Sequence, residues 1–245
     1  MSSQVKKPLL MIVSDEEYMK LKAEAAPIFF DRNTHVVRHS HVNNSDFPKQ
    51  VKLSQRRPGV VLLKNPYAED SYVVAEDARL DFSLAKFRLL VRICQALGAK
   101  KVTVKSAFTH ESDRSTELDA EGGSTEAGSI GLKMKKSFQE RLQSQFESIS
   151  EFVGASPNPG EAWKIIEESN LECDPDLIYF IKVRSYNQNL SKSEDVSISL
   201  AREADSILSL AAKVSIPAYL KLDIGFKYSL REKLDCKIKL EVLFE

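Results

Sequence analysis

The sequence predicts an α+β protein: an antiparallel sheet built from two helix-hairpin units and covered by amphipathic helices, with a small N-terminal α/β portion. Three observations lead there. From Leu220 to Phe244, apolar and charged residues alternate with period two, the pattern of strands with one dry and one wet face. Residues 81–97 instead repeat their apolar side chains at helical spacing. The first 78 residues carry only short apolar runs separated by prolines.

Taken in order, Leu9 to Val13 reads as a strand. Ser14 and Glu17 then form a capping box that opens a short helix with Tyr18 and Leu21 on its apolar face, ending before Pro27. Residues 28–70 are irregular, punctuated by Pro48, Pro58 and Pro66, with short strands at 59–64 and 71–74. The helix at 81–97 carries Phe82, Phe87, Leu90, Ile93, Cys94 and Leu97 on one stripe, and Gly98 stands where a C′ glycine belongs. A strand follows with Val102, Val104 and Phe108 on one face. Residues 110–128 are polar, acidic and glycine-bearing and read as a mobile loop. Ile130, Leu132 and Met134 resume period two, and Phe138, Leu142, Phe146, Ile149 and Phe152 predict a helix over 138–153. "GASPNPG" at 154–160 marks the best internal break. Helices are expected at 161–169, 176–186 and 193–214, the last with Val196, Leu200, Ala204, Ile207, Ala211 and Val214 inward.

The closing stretch is the strongest signal. Every even position from Leu220 to Phe244 is apolar except Glu232, and ten of the thirteen odd positions from Lys221 to Glu245 are charged. Folding it about Glu232 pairs Leu230 with Leu234, Ile224 with Leu240 and Leu220 with Phe244, which predicts a hairpin whose register a one-residue slip would ruin. "SLAK" at Ser83 and "SLAR" at Ser199 sit at similar distances before the two expected hairpins and suggest a repeat. The expected division is 1–78, with irregular basic and histidine-containing loops, and 79–245, the helix-hairpin domain.

Composition narrows the function classes. Thirty-five basic and thirty-five acidic residues cancel, which removes the global electrostatic argument for nucleic acid or an acidic membrane. Three scattered cysteines, Cys94, Cys173 and Cys236, form neither a disulfide framework nor a zinc knuckle. The N-terminal apolar run is too short for a signal peptide, and no window approaches a spanning helix. The expectation is a cytoplasmic protein in which the sequon Asn43-Asn44-Ser45 has no role.

Two segments carry candidate chemistry. "HVVRHSH" holds His35, His39 and His41. On a strand, His39 and His41 stand about 6.6 Å apart on one face and could chelate a divalent metal, with Asp31 or Asp46 supplying a third ligand. His35 is too far along to join them. Lys49, Lys52, Arg56, Arg57 and Lys64 form a run without an acidic residue between them, a candidate site for an anion or a partner. It lacks the aromatic residues that single-stranded nucleic acid stacks on. GxGxxG, GxxxxGK[ST], GxSxG and HExxH are absent. The nuclease-like "LDCK" at 234–237 is explained by strand alternation, and Trp163 by an amphipathic helix.

With no catalytic motif and a strongly patterned sheet, the expected role is a non-enzymatic binding or assembly protein, contacting a protein partner or a second copy through a sheet edge or face. No resident cofactor is expected. The first alternative is a membrane-active protein of the pore-forming type, whose eleven-residue hairpin arms (220–230 and 234–244) match the length of a barrel strand. The second is a metal-dependent hydrolase or phosphoesterase using His39 and His41.

Overall fold

The computed structural model describes residues 7–43, 47–48, 51, 53–68, 71–111, 140, 150–186, 192–200, 202–214, 220 and 234–244. In chain order the elements are β1 (Leu9–Val13), α1 (Asp15–Ala23), β2 (Thr34–Arg38), β3 (Val61–Lys64), β4 (Tyr72–Val74), α2 (Ala78–Ala96), β5 (Lys101–Glu111), β6 (Ser150–Glu151), α3 (Pro159–Glu168), α4 (Pro175–Ser185), β7 (Ser193–Ser199), α5 (Arg202–Ala212) and β8 (Leu234–Leu243). Helices occur beside two sheets rich in antiparallel pairs, as an α+β class requires. The chain divides into two compact units. One comprises Met1–Asp81 and Glu203–Glu232, the other Phe82–Arg202 and Lys233–Glu245.

The first unit is built on a four-stranded sheet of order β2-β1-β3-β4. β1 and β2 run parallel, joined through α1, while β3 is antiparallel to both β1 and β4. All five residues of β1 are buried, which explains why its sequence shows an unbroken apolar run and no alternation. The capping box forms as expected: Glu17 N–H donates to Ser14 Oγ, and Ser14 N–H donates to Glu17 Oε2 at 2.9 Å. One face of the sheet presents Leu10, Ile12, Val60 and Leu62 to Val42, Phe47 and Val51. In the same unit the Tyr67 hydroxyl donates to Glu203 at 2.9 Å, and Arg79 pairs with Asp205.

The second unit holds an all-antiparallel sheet of order β6-β5-β8-β7. β8 obeys the alternation read from the sequence. Ile238, Leu240, Val242 and Phe244 are buried, and Lys239 between them is exposed. Its partners differ from the expected hairpin. Leu240 stands between Val104 of β5 and Val196 of β7, so both hydrogen-bonding edges of β8 are occupied there. A strand has two edges, and period-two patterning says nothing about which neighbours take them. Residues 221–233, the other arm, lie outside the described residues, as do 112–139 with the acidic loop and the Ile130–Met134 strand.

Four further expectations change. The helix at 193–214 is instead β7 followed by α5: Val196 and Ile198 alternate with exposed Asp195 and Ser197, and the β-branched and serine residues here suit a strand better than a helix. Ser150 and Glu151 of the helix expected at 138–153 instead pair with Val102 and Lys101 as β6; residues 138–139 and 141–149 lie outside the described residues. A bulge at Lys105 shifts the β5 register by one, placing Phe108 opposite Lys237 where an unbroken register from Val104 would set it opposite Cys236. On the wet face Lys105 then spans three strands, with Nζ 3.0 Å from Asp195 and 3.3 Å from Glu241. The tetrapeptide repeat is not a structural one, since Ser83 lies inside α2 and Ser199 ends β7.

The stripe on α2 matches expectation: Phe82, Phe87, Leu90, Ile93, Cys94 and Leu97 are all buried. Gly98 closes the helix at φ +89°, and a Cβ there would sit 2.5 Å from the Ala155 carbonyl oxygen. The strand-to-helix connection passes that close because Asn158 N–H donates 2.7 Å to the Ala96 carbonyl. Gly98→Ala should therefore lower unfolding free energy in urea titration by at least the cost of a left-handed residue, about 1–2 kcal/mol. Gly160→Ala, whose Cβ meets only a side-chain oxygen at 3.5 Å, should leave it unchanged or raise it.

Candidate functional site

Among the described residues six large apolar side chains are exposed, and three of them fall in line: Tyr179, Val183 and Tyr186, 71%, 37% and 72% exposed. They occupy one face of α4 and its C-cap residue at spacings of four and three, so they form a continuous ridge. The opposite face carries Leu177, Phe180, Ile181 and Arg184 at the same helical spacing, all buried. α4 carries apolar residues on both faces, with Asp176, Lys182 and Arg184 among them, and such a helix is ordinarily enclosed on both. α4 is enclosed on one.

The buried side of α4 is fixed by charge as well as by packing. Asp174 caps the helix, its Oδ1 accepting from the N–H groups of Asp176 (3.0 Å) and Leu177 (3.2 Å), and Pro175 takes the first helical position where its missing N–H does no harm. Asn158 and Pro159 open α3 in the same way, with Asn158 accepting from Glu161 N–H at 3.1 Å. Asp174 Oδ2 lies 2.6 Å from Lys86 Nζ of α2, and neither side chain has any exposed surface. Arg202 approaches the same carboxylate at 3.8 Å and Asp176 at 3.8 Å. The basic residues that end "SLAK" and "SLAR" thus converge on one acid.

Farther along α4, the buried Arg184 guanidinium lies 3.4 Å over the Phe244 ring and 3.7 Å from Glu194 of β7. Burial raises the Glu194 carboxyl above its ordinary value, with Arg184 opposing; burial lowers Arg184, with Glu194 opposing. Nearby, burial pushes the Cys94 thiol up to about 12, which makes it an inert core group, as expected. Cys173 is exposed.

The residues singled out by sequence lie elsewhere. β2 ends at Arg38, and His39 to His41 form a single 3-10 turn with both His39 and His41 exposed. At three residues per turn, positions two apart point in different directions, so the strand geometry expected for chelation is lost. Ser40 between them donates to Asp15 at 2.7 Å, tying the turn to the start of α1. His35 is on β2, its imidazole held below the usual value by burial and, secondarily, by Lys7. Among the described residues no three His, Cys, Asp or Glu side chains gather to hold a metal ion.

Arg56 points back into its own loop. It donates to the carbonyls of Val51 (3.1 Å) and Val42 (3.3 Å) and lies 5.2 Å over Phe47, stapling the segment that covers the first sheet. Arg57 is exposed beside a cavity of about 50 Å³ lined by Val60, Val61, Val74 and Glu76, room for a water or two. Lys49 and Lys52 lie outside the described residues. No helix among the described residues is long and apolar enough to cross a membrane. No family model, curated protein or solved structure matches the chain.

α4 itself had a sequence signal that the periodicity reading passed over. Lys86 falls four residues after Phe82 and four before Leu90, within the apolar stripe of α2, and a cation there demands a buried acid. Asp174-Pro175 is a cap-and-proline pair. Two predictions follow from this charge cluster. Asp174→Asn keeps a capping side chain but leaves Lys86 buried opposite a neutral amide, and should cost about 3–5 kcal/mol in urea unfolding; adding Lys86→Met should recover most of that loss. A double variant no more stable than Asp174→Asn would refute the ion-pair account. For Glu194, a raised folded-state pKa means the folded chain holds the proton more tightly than the unfolded one. Its stabilising contribution is complete below the ordinary glutamate value of about 4.5 and is lost as pH rises through the raised folded value. The stability difference between the native chain and Glu194→Gln should shift in favour of the native chain as pH falls from 7 toward 4.5; a pH-independent difference would remove Glu194 as the titrating group.

Proposed function

We propose that this chain is a non-enzymatic binding or assembly protein that engages a protein partner, or a second copy of itself, through the outer face of α4. The supporting observation is the aligned exposure of Tyr179, Val183 and Tyr186 on a helix whose other face is anchored to α2 and β7. Exposed aromatic residues on a rigid element suit protein contact: their rings bury a large area at small entropic cost, and their hydroxyls tolerate water before and after binding. A scatter of isolated apolar residues would carry no such meaning.

The contact site moves from the sheet to a helix in this reading. The dry face of β8 is filled by its own core, with Ile238, Leu240 and Val242 fully buried, so it offers nothing to a partner in this state. Catalysis finds little support: the described histidines and cations do not converge on a cleft, and the larger surface depression, about 340 Å³ between Gln95, Ala99 and the 151–155 segment, brings only Gln95 and Glu151 as polar side chains.

A photoreactive phenylalanine placed at Tyr179 or Tyr186 should crosslink the chain to a partner protein or a second copy in cells that make it, while the same group at exposed Glu167 of α3 should not. Equal crosslinking at all three positions, or none, would end this assignment.

A further inference from the structure

We infer that the Lys7 ammonium closes the outer edge of β2 against a second copy of this chain, a role separate from the one proposed for α4. In the first unit β2 ends the strand order, with β1 on its inner side. The pairing fixes which backbone groups face outward. Leu9 N–H donates to the Asn33 carbonyl at 3.0 Å, and Leu9 is level with Thr34 in a parallel ladder that runs unbroken to Arg38. Asn33, His35 and Val37 therefore bond toward β1, while Thr34, Val36 and Arg38 turn their N–H and C=O groups away from it. The Thr34 carbonyl is taken by Lys7 Nζ at 2.7 Å, which also donates to the Asp31 carbonyl at 2.9 Å. Val36 N–H and C=O, and the N–H groups of Thr34 and Arg38, have no hydrogen-bond partner among the described residues.

An open edge is a template for another strand, and the usual protections are a proline, a bulge or a charge. β2 contains neither a proline nor a bulge. Its outward pattern is self-complementary. An antiparallel copy related by a twofold axis at Val36 exchanges both Val36 bonds and sets His35 opposite Val37, with no like charges opposed. The next pair in that register is Arg38 of one copy with Thr34 of the other. Arg38 N–H would then aim at the carbonyl that Lys7 holds, and the ammonium would lie beside an incoming arginine. Lys7 thus occupies an acceptor that pairing needs and sets a like charge against it. The carboxylates at the two ends of β2 are engaged within their own copy: Asp31 accepts from Asn33 N–H at 2.6 Å, and Asp15 from the Ser40 hydroxyl at 2.7 Å.

The test joins analytical ultracentrifugation of the full chain to amide hydrogen exchange. Lys7→Met keeps the length of the side chain and removes its donors and charge. It should self-associate at concentrations about tenfold below those the native chain requires, the combined effect of two exposed like-charge contacts in a twofold pair. Residues 34–38 should then exchange more slowly as concentration rises. Lys7→Arg, which retains donors and charge, should behave as the native chain does. A folded Lys7→Met chain that associates no more than the native one overturns the inference. So does association without protection at 34–38, which places the contact elsewhere, and so does Lys7→Arg behaving as Lys7→Met. If Lys7→Met loses its circular dichroism, the native chain decides. In about 1 M salt, where charges are screened beyond about 3 Å, residues 34–38 should gain concentration-dependent protection, and its absence overturns the inference.

Discussion

A carboxylate and an ammonium with no exposed surface are costly to desolvate, and they persist only if each compensates the other and the remaining lone pairs find donors. Asp174 and Lys86 compensate each other in the second unit, with Oδ2 resting on the 2.6 Å ion contact alone and Oδ1 on backbone donors, and much of the geometry follows. Asp174 accepts two backbone N–H groups at the start of α4, so the residue that neutralises Lys86 also fixes where the helix begins. Arg202 reaches the same carboxylate from the start of α5. Three stretches distant in sequence are thereby held to one point. Apolar packing alone is less particular, since many arrangements bury similar area.

The second charged contact works at the other end of α4. Arg184 lies flat on Phe244 and faces Glu194, which joins the helix to both β7 and the end of β8. Arginine suits this position because its planar, weakly hydrated guanidinium stacks on an aromatic face and bonds an acid in the same plane. With its inner face held at both ends, α4 has little rotational freedom. Its outer tyrosines are consequently presented in a fixed orientation, which would reduce the entropy lost in the partner contact proposed above.

The first unit reaches rigidity differently. β1 is buried on both faces, α1 is opened by its capping box, and Arg56 ties Val42, Val51 and Phe47 together through bonds to two carbonyls and a contact with the ring. A basic residue in a proline-punctuated segment reads in sequence as a solvent-facing or ligand-facing charge. Here it satisfies the carbonyls of Val51 and Val42. The general reason is that an irregular segment over a core must still satisfy its carbonyls, and a five-donor side chain does that where no neighbouring strand is available.

Local chemistry was legible from the sequence by itself: the apolar run of β1, the Ser14–Glu17 cap, the buried stripe and terminal glycine of α2, and the dry and wet sides of β8. Each depends on residues within one turn or one strand of each other, where periodicity and capping are sufficient. Partnership was not legible. Val196 and Leu200 fit a helix as well as Val196 and Ile198 fit a strand, and pairing with β8 decided between them. The hairpin about Glu232 was equally consistent with alternation, but β5 and β7 occupy both edges of β8. Lys86 and Asp174 were visible as a misplaced cation and a cap, yet their union is a long-range fact. Whether the tyrosines of α4 face a core or solvent was likewise settled by what packs on the other side of the helix. Periodicity encodes faces, and only the assembled chain determines what each face meets.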